Sequence, residues 1–261
     1  MPYVVIASYG FKVLKPMYKK SILSASILIA LSQGAYAEDS STFNEVVVSA
    51  TRTEQNINDV SASVESVSSK DIERSLSKDL NDAVQYTPGV EATTSGRFGI
   101  SGFNIRGMEG DRVKIVIDGV QQATPFNPGG GAVQAIYPNA IELDTLTSIE
   151  INKGPSSTLY GSDAMGGVVV LKTKDPSDVL KTDGDENRFG IKSSYFSADE
   201  QFKNTLTWAM RQGNLETLLM GTYASGSEVK TFGDGSDIDG PNRGLENPAD
   251  KNLSNILAKA Y

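Results

Sequence analysis

Histidine and cysteine are both absent from the 261 residues. Their absence removes the side chains most used for acid–base relays, thiolate nucleophiles and soft metal ligands. Carboxylates, Lys, Tyr and Ser remain, and Asp111, Asp118 and Asp163 lie close to glycines, where a turn role accounts for each without a reaction. The run Gly129, Gly130, Gly131 is not followed by Lys-Ser/Thr, so it does not read as a phosphate-binding loop. The chain therefore reads as a non-enzyme with no cofactor and no metal site. Two cations stand out, Arg106 and Lys153, each next to a glycine in a motif. An ordinary solvated surface charge explains either of them as readily as a specific pairing does. A different chemistry is offered by Glu45, Val46, Val47, Val48, Ser49 and Ala50. A valine run inside a hydrophilic stretch cannot bury itself locally and suits backbone pairing with another strand, either as a peptide for a partner or as the first strand of the folded domain.

The elements that must position these residues are legible by period. Residues 60–67 alternate, Ser69 followed by Asp71, Ile72 and Glu73 predicts a capped helix start, and 79–85 carry apolar positions at helical spacing before Thr87-Pro88-Gly89-Val90 breaks them. In 105–122 (IRGMEGDRVKIVIDGVQQ), Val113, Ile115 and Ile117 alternate with Lys114, Val116 and Asp118, and Asp118-Gly119 supplies a turn. In 149–173 (IEINKGPSSTLYGSDAMGGVVVLKT), two β-type runs flank a Gly/Pro/Ser-rich turn region. Between these blocks, 124–137 is rich in Pro and Gly and predicts an irregular loop. Phe126, Asn127 and Tyr137 are its candidates for substrate contact, with loop packing as the alternative role.

From Asn187 the texture changes to longer alternating segments. Phe189, Ile191, Ser193 and Tyr195 share one face, as do Phe202, Leu206, Trp208 and Met210, and then Leu215, Thr217, Leu219 and Tyr223. Periodicity alone fits both an ordinary antiparallel sheet and transmembrane strands with lipid on one side and a wet lumen on the other. Residues 226–251 predict a long loop, and 253–261 begin a fourth strand.

The amino terminus predicts export. Lys15, Lys19 and Lys20 precede an apolar run at 21–32, and Ala35-Tyr36-Ala37 matches a small-x-small cleavage site, so 1–37 reads as a signal peptide cut after Ala37. Met17 begins a well-formed signal by itself and is the expected true start. A formal charge of -8 argues against a nucleic-acid partner, which needs a concentrated basic surface.

The blocks 149–173 and 105–122, with DLNDAVQYTPGV before them, resemble the plug domain of TonB-dependent outer-membrane receptors. The resemblance implies an α+β plug domain followed by the first strands of an incomplete antiparallel transmembrane β-barrel. Its divisions are 38–58 as a periplasmic segment with a TonB box at 45–50, 59–178 as the plug, and 179–261 as the start of the barrel with a long loop near 226–251. It also implies that Arg106 and Lys153 contact carboxylates on the inner barrel wall, and that 124–137 lies near the extracellular apex. The implied partners are TonB with its inner-membrane energising complex, outer-membrane lipid, and a ligand carried through the outer membrane of a Gram-negative bacterium.

A plugged transporter barrel needs ~22 strands. With only a few strand-like segments here, the chain is expected to be a fragment unable to transport alone. Residues 126–180 resemble the branch that handles heme, hemoglobin, transferrin and lactoferrin, which points to heme or hemoglobin as the ligand. Heme iron is often held by histidine. With none in this sequence, an axial histidine would lie elsewhere, or a tyrosine such as Tyr137 would substitute. A siderophore or cobalamin receptor of the same family and a secreted soluble binding module are the alternatives.

Overall fold

The computed structural model describes residues 47–48, 55–56, 63–94, 100–122, 141–162, 164–229 and 250–261. Residues 1–37, expected to be a signal peptide, and Phe126, Asn127, Tyr137, Asp163 and most of the 226–251 stretch lie outside the described residues. Near the amino terminus two short strands, β1 (Val47–Val48) and β2 (Gln55–Asn56), pair antiparallel.

An α+β body follows. Its strands are β3 (Val64–Ser68), β4 (Val90–Thr94), β5 (Ile100–Ile105), β6 (Val113–Ile117), β7 (Val120–Gln121), β8 (Leu146–Asn152) and β9 (Gly167–Thr173). Its short helices are α1 (Ser69–Arg74), α2 (Leu80–Val84), α3 (Ser157–Tyr160) and α4 (Pro176–Val179). The main sheet runs β3-β8-β9-β6-β7, with β9 and β6 parallel and the other neighbours antiparallel, while β4 and β5 form a separate hairpin. The α1 cap is Ser68, one residue before the Ser69 expected from the sequence. Asp71 then stands at the third helical position, where its amide donates to Ser68 Oγ and its carboxylate accepts from the Ser68 amide, closing a reciprocal cap. Asp79 caps α2 as its own side chain accepts from the Asp82 amide. Asp118 (φ 46°) and Gly119 (φ 82°) make the two-residue turn between β6 and β7, a hairpin that requires positive φ at both central positions.

The hydrophobic core joins Ile72 of α1, Leu80 and Val84 of α2, Phe103 and Ile105 of β5, and the aliphatic residues of β6, β8 and β9. Both faces of β9 are covered, because Val168 and Val170 pack in a second cluster with Val116 and Ala164. That explains the unbroken VVVL run, which a half-exposed strand would interrupt with polar residues.

The remaining strands are β10 (Glu186–Phe196), β11 (Gln201–Gln212), β12 (Leu215–Gly226) and β13 (Lys251–Ala260). They form an antiparallel meander in sequence order, with unbroken register across every pair. The side-chain polarity is opposite to that of a sheet packed in water. Phe189, Ile191, Tyr195, Leu206, Leu219, Tyr223 and Ile256 are exposed, whereas Lys203, Thr205, Thr222 and Lys259 are buried. On the exposed face Phe189 stacks on Trp208 with ring centroids 6.2 Å apart. On the opposite face Ala209, Leu218, Met220 and Leu257 pack with Val179, the last residue of α4, and with Leu180 just after it.

Candidate functional site

The two sequence-predicted cations turn toward the α+β body itself. Arg106 has φ 52°, donates its backbone amide to Gly89 O at 2.9 Å, and sends a guanidinium N–H to Ser63 Oγ at 3.2 Å. Lys153 Nζ donates to Glu65 Oε2 on β3 and reaches Pro88 O at 3.4 Å. Among the described residues neither meets a carboxylate of the β10–β13 sheet. Arg106 lines a groove of about 440 Å³ with Gln85, Tyr86, Glu91 and Asn104.

The contact between body and sheet is built from other residues. Glu142 caps a 3₁₀ turn (Leu143–Thr145) that leads into β8, and this turn aims Glu142 and Asp144 at β10 and β11. Lys203 Nζ lies 2.6 Å from Glu142 Oε1 and 3.1 Å from Asp144 Oδ2. Lys192 Nζ binds the other Asp144 oxygen at 2.6 Å, and Thr205 Oγ1 donates to Asp144 Oδ2 at 2.8 Å. A second cluster lies below α4. Lys259 Nζ donates to Asp175 Oδ1 at 2.7 Å and to Thr173 O at 3.3 Å, and stands 3.6 Å from Asp118 Oδ2. Tyr261 OH donates to the same Asp175 oxygen at 2.7 Å. Asp118 is itself fixed by the backbone N–H and hydroxyl of Thr173.

These surroundings set the carboxylate charges. Burial pushes the Asp144 carboxyl up, but the Lys192 hydrogen bond, the Lys203 charge and the Thr205 hydroxyl outweigh it and hold the group below 3.8. Burial likewise raises Asp175, and the bonds from Lys259 and Tyr261 with the Lys259 charge bring it below 3.8. Both acids are therefore ionised at neutral pH and serve as fixed anions for the sheet lysines.

In most of the described contacts between body and sheet, acids of the body meet lysines of the sheet. The pair formed by Lys78 and Asp199 has the opposite polarity, a cation of the body on an acid of the sheet. Sequence reasoning missed Glu142, Asp144, Asp175, Lys192, Lys203 and Lys259. The lysines carried a signal, since each sits on the polar parity of its strand. That parity is the one a wet lumen would face, yet Lys203 and Lys259 are buried against the body. The acids carried none, because a carboxylate near a turn has many ordinary uses. Of the segment at 45–50 only the backbone of Val47 and Val48 is described, where Val47 pairs with Asn56 and Val48 with Gln55, and Glu45, Val46, Ser49 and Ala50 lie outside the described residues.

Residues 56–168 match the family described as the TonB-dependent Receptor Plug Domain. The chain carries a TonB-dependent receptor plug. The α+β body is that plug, and β10–β13 are antiparallel strands of a barrel wall that is open at both edges among the described residues. A probable hemoglobin and hemoglobin-haptoglobin-binding protein 4 of Haemophilus influenzae is 33% identical over 199 residues, covering 72% of this chain and 20% of that protein. Hemoglobin-haptoglobin utilization protein B of Neisseria meningitidis serogroup A is 32% identical over 250 residues, covering 90% of this chain and 30% of that protein. The chain thus spans between a fifth and a third of the length of these relatives. Among solved structures, a double mutant of the Serratia marcescens hemophore receptor HasR, in complex with its hemophore HasA and heme, superposes with a TM-score of 0.61 at 20% identity. That superposition covers 77% of this chain and 29% of the receptor and bears on the fold.

Proposed function

We propose that this plug and wall belong to an outer-membrane receptor that imports heme or hemoglobin-derived iron and is energised through TonB. The observation that carries the receptor reading is the polarity of the wall, with apolar and aromatic residues outward and buried lysines inward against the plug. Outward leucine, isoleucine and aromatic side chains are stable in hydrocarbon, and inward charges need the lumen side of a barrel. Similarity to hemoglobin-binding proteins across most of the chain supports the cargo. The receptor is non-enzymatic, and heme is its cargo rather than a resident cofactor.

In this reading 1–37 is a signal peptide cleaved after Ala37, and 45–50 is the TonB box. Coupling occurs by β-augmentation. The periplasmic end of TonB adds a strand to Val47 and Val48, and main-chain hydrogen bonds carry the pull. The same backbone pairs with Gln55–Asn56 within the chain, so TonB would add to that short ladder or replace it. Arg106 and Lys153 are the candidates for contact with the rest of a closed barrel, and Phe126, Asn127 and Tyr137 are the candidates for cargo contact.

The test is growth of an iron-starved Gram-negative host on hemoglobin or hemin as sole iron source, with the receptor and TonB each present or deleted. Growth that needs both supports the proposal. Growth on a ferric siderophore alone replaces the cargo, and recovery of the protein in the soluble fraction overturns the receptor reading.

A further inference from the structure

Asp199 lies in the short turn between β10 and β11 and is fully buried. Its contacts reach three separate parts of the molecule. One carboxylate oxygen, Oδ2, accepts from Lys78 Nζ of the plug, just before α2, and Lys251 Nζ at the start of β13 stands 3.9 Å from the same oxygen. Its backbone carbonyl accepts from the Ser227 amide at 2.8 Å and the Ser227 hydroxyl at 3.2 Å, at the end of β12. Between these points Gly226 pairs with Lys251, and a Cβ on Gly226 would meet Asp199 O at 3.1 Å and Gln201 Cβ at 2.9 Å. The backbone at Gly226 is therefore packed directly against the β10–β11 turn. The other oxygen, Oδ1, has no hydrogen-bond partner among the described residues.

A buried carboxylate with one oxygen unpartnered is costly to keep for packing alone, because an apolar side chain would fill the turn without desolvating a charge. Its geometry gives it another use. Ser227 and Lys251 are the two roots of the connection that joins β12 to β13, and Lys78 belongs to the plug. We infer that Asp199 is a positioning residue that locks both roots of this connection to the plug, so that displacement at either end is felt at the other. Lys78 is the plug half of the joint. Its Nζ also lies 5.9 Å from the centre of the Phe196 ring, at the end of β10, which keeps the ammonium over the turn.

The experiment is amine acetylation footprinting with mass-spectrometric readout on the membrane-inserted protein, combined with limited proteolysis of the β12–β13 connection. Asp199→Asn keeps the shape and removes the charge. It is expected to raise acetylation of both Lys78 and Lys251 several-fold and to speed cleavage of the connection. Lys78→Met changes only the plug. It is expected to raise acetylation of Lys251 and cleavage of the connection as well, and Lys78→Arg is expected to restore both to the wild-type rate. A purely local role in the turn predicts that Lys78→Met leaves Lys251 and the connection unchanged, and that result overturns the inference. So does an unchanged Lys251 in Asp199→Asn. None of these arms uses heme or hemoglobin, so a failure of the proposed cargo leaves the outcome readable.

Discussion

Lys203 of the wall and Glu142 of the plug form an ion pair at 2.6 Å in which neither side chain is more than 6% exposed. Removing one partner of such a pair leaves an uncompensated buried charge, typically at a cost of ~3–5 kcal/mol. Lys203→Met is expected to lower the unfolding free energy by about that amount, because Glu142 is stranded while Asp144 keeps Lys192. The double variant Lys203→Met with Glu142→Leu is expected to recover much of the loss. Denaturant titration of the single and double variants checks both statements, and equal losses in the two would refute the pairing argument.

Acid should loosen the same contact, and its sign follows from the carboxylates. Asp144 and Asp175 are depressed below 3.8 in the folded protein, so the unfolded chain takes up protons first as the pH falls. Their stabilisation is fully present above the ordinary carboxylate value and is lost as the pH drops through the lower folded values. Stability measured from neutral pH downward is therefore expected to hold until about pH 4 and then decline. Asp175→Asn should flatten part of that decline, and an unchanged acid limb in this variant would assign the effect to other groups.

Val47→Pro tests the coupling segment. Proline removes a backbone donor and resists a β-ladder. Uptake of the cargo is expected to be abolished at equal surface abundance, with cargo binding unchanged. Normal uptake would move the TonB contact away from 45–50.

Gly167, at φ +151°, opens β9, and a Cβ there would lie 2.4 Å from Asn152 O and 2.8 Å from Ile105 Cδ1. Both neighbours belong to strands of the plug core and have little room to retreat. Gly167→Ala is expected to cost at least about 1–3 kcal/mol, the usual range for overpacking a core. A thermal melt of the variant at wild-type midpoint would show that the backbone yields.

Leu206 is exposed at the middle of β11. In a wall that contacts lipid, Leu206→Arg is expected to weaken insertion by ~2–4 kcal/mol, the cost of a cation near the bilayer midplane. Its neighbour in sequence, Thr207, points to the other face, so Thr207→Arg should not carry this lipid cost. Equal insertion of the Leu206 variant, followed by refolding into vesicles, would contradict the outward-apolar reading.

Much of the fold was legible because its signals are local. The alternation at Val113, Ile115 and Ile117, the Asp118-Gly119 turn and the parity of the later strands each follow from one stretch of chain. The outward set Phe189, Leu206 and Leu219 was legible as a face, but not as the face turned away from the plug, since an isolated sheet gives the same pattern. The contact network was illegible for a physical reason. Lys203 and Glu142 are 61 residues apart, and no period connects a strand lysine to a carboxylate on a 3₁₀ turn. The bond between Lys153 and Glu65 is equally unmarked, since the two are 88 residues apart on different strands of the plug.

The unbroken register of β10–β13 carries a consequence for how this part of the chain tolerates change. Because neighbouring side chains alternate between the two faces of the sheet, deleting Phe202 near the start of β11 would send Lys203 outward and turn Trp208 toward the plug, reversing every later position of the strand at once. Point replacements that respect odd and even places are survivable, whereas length is free to vary only at the bends, such as Gly213-Asn214.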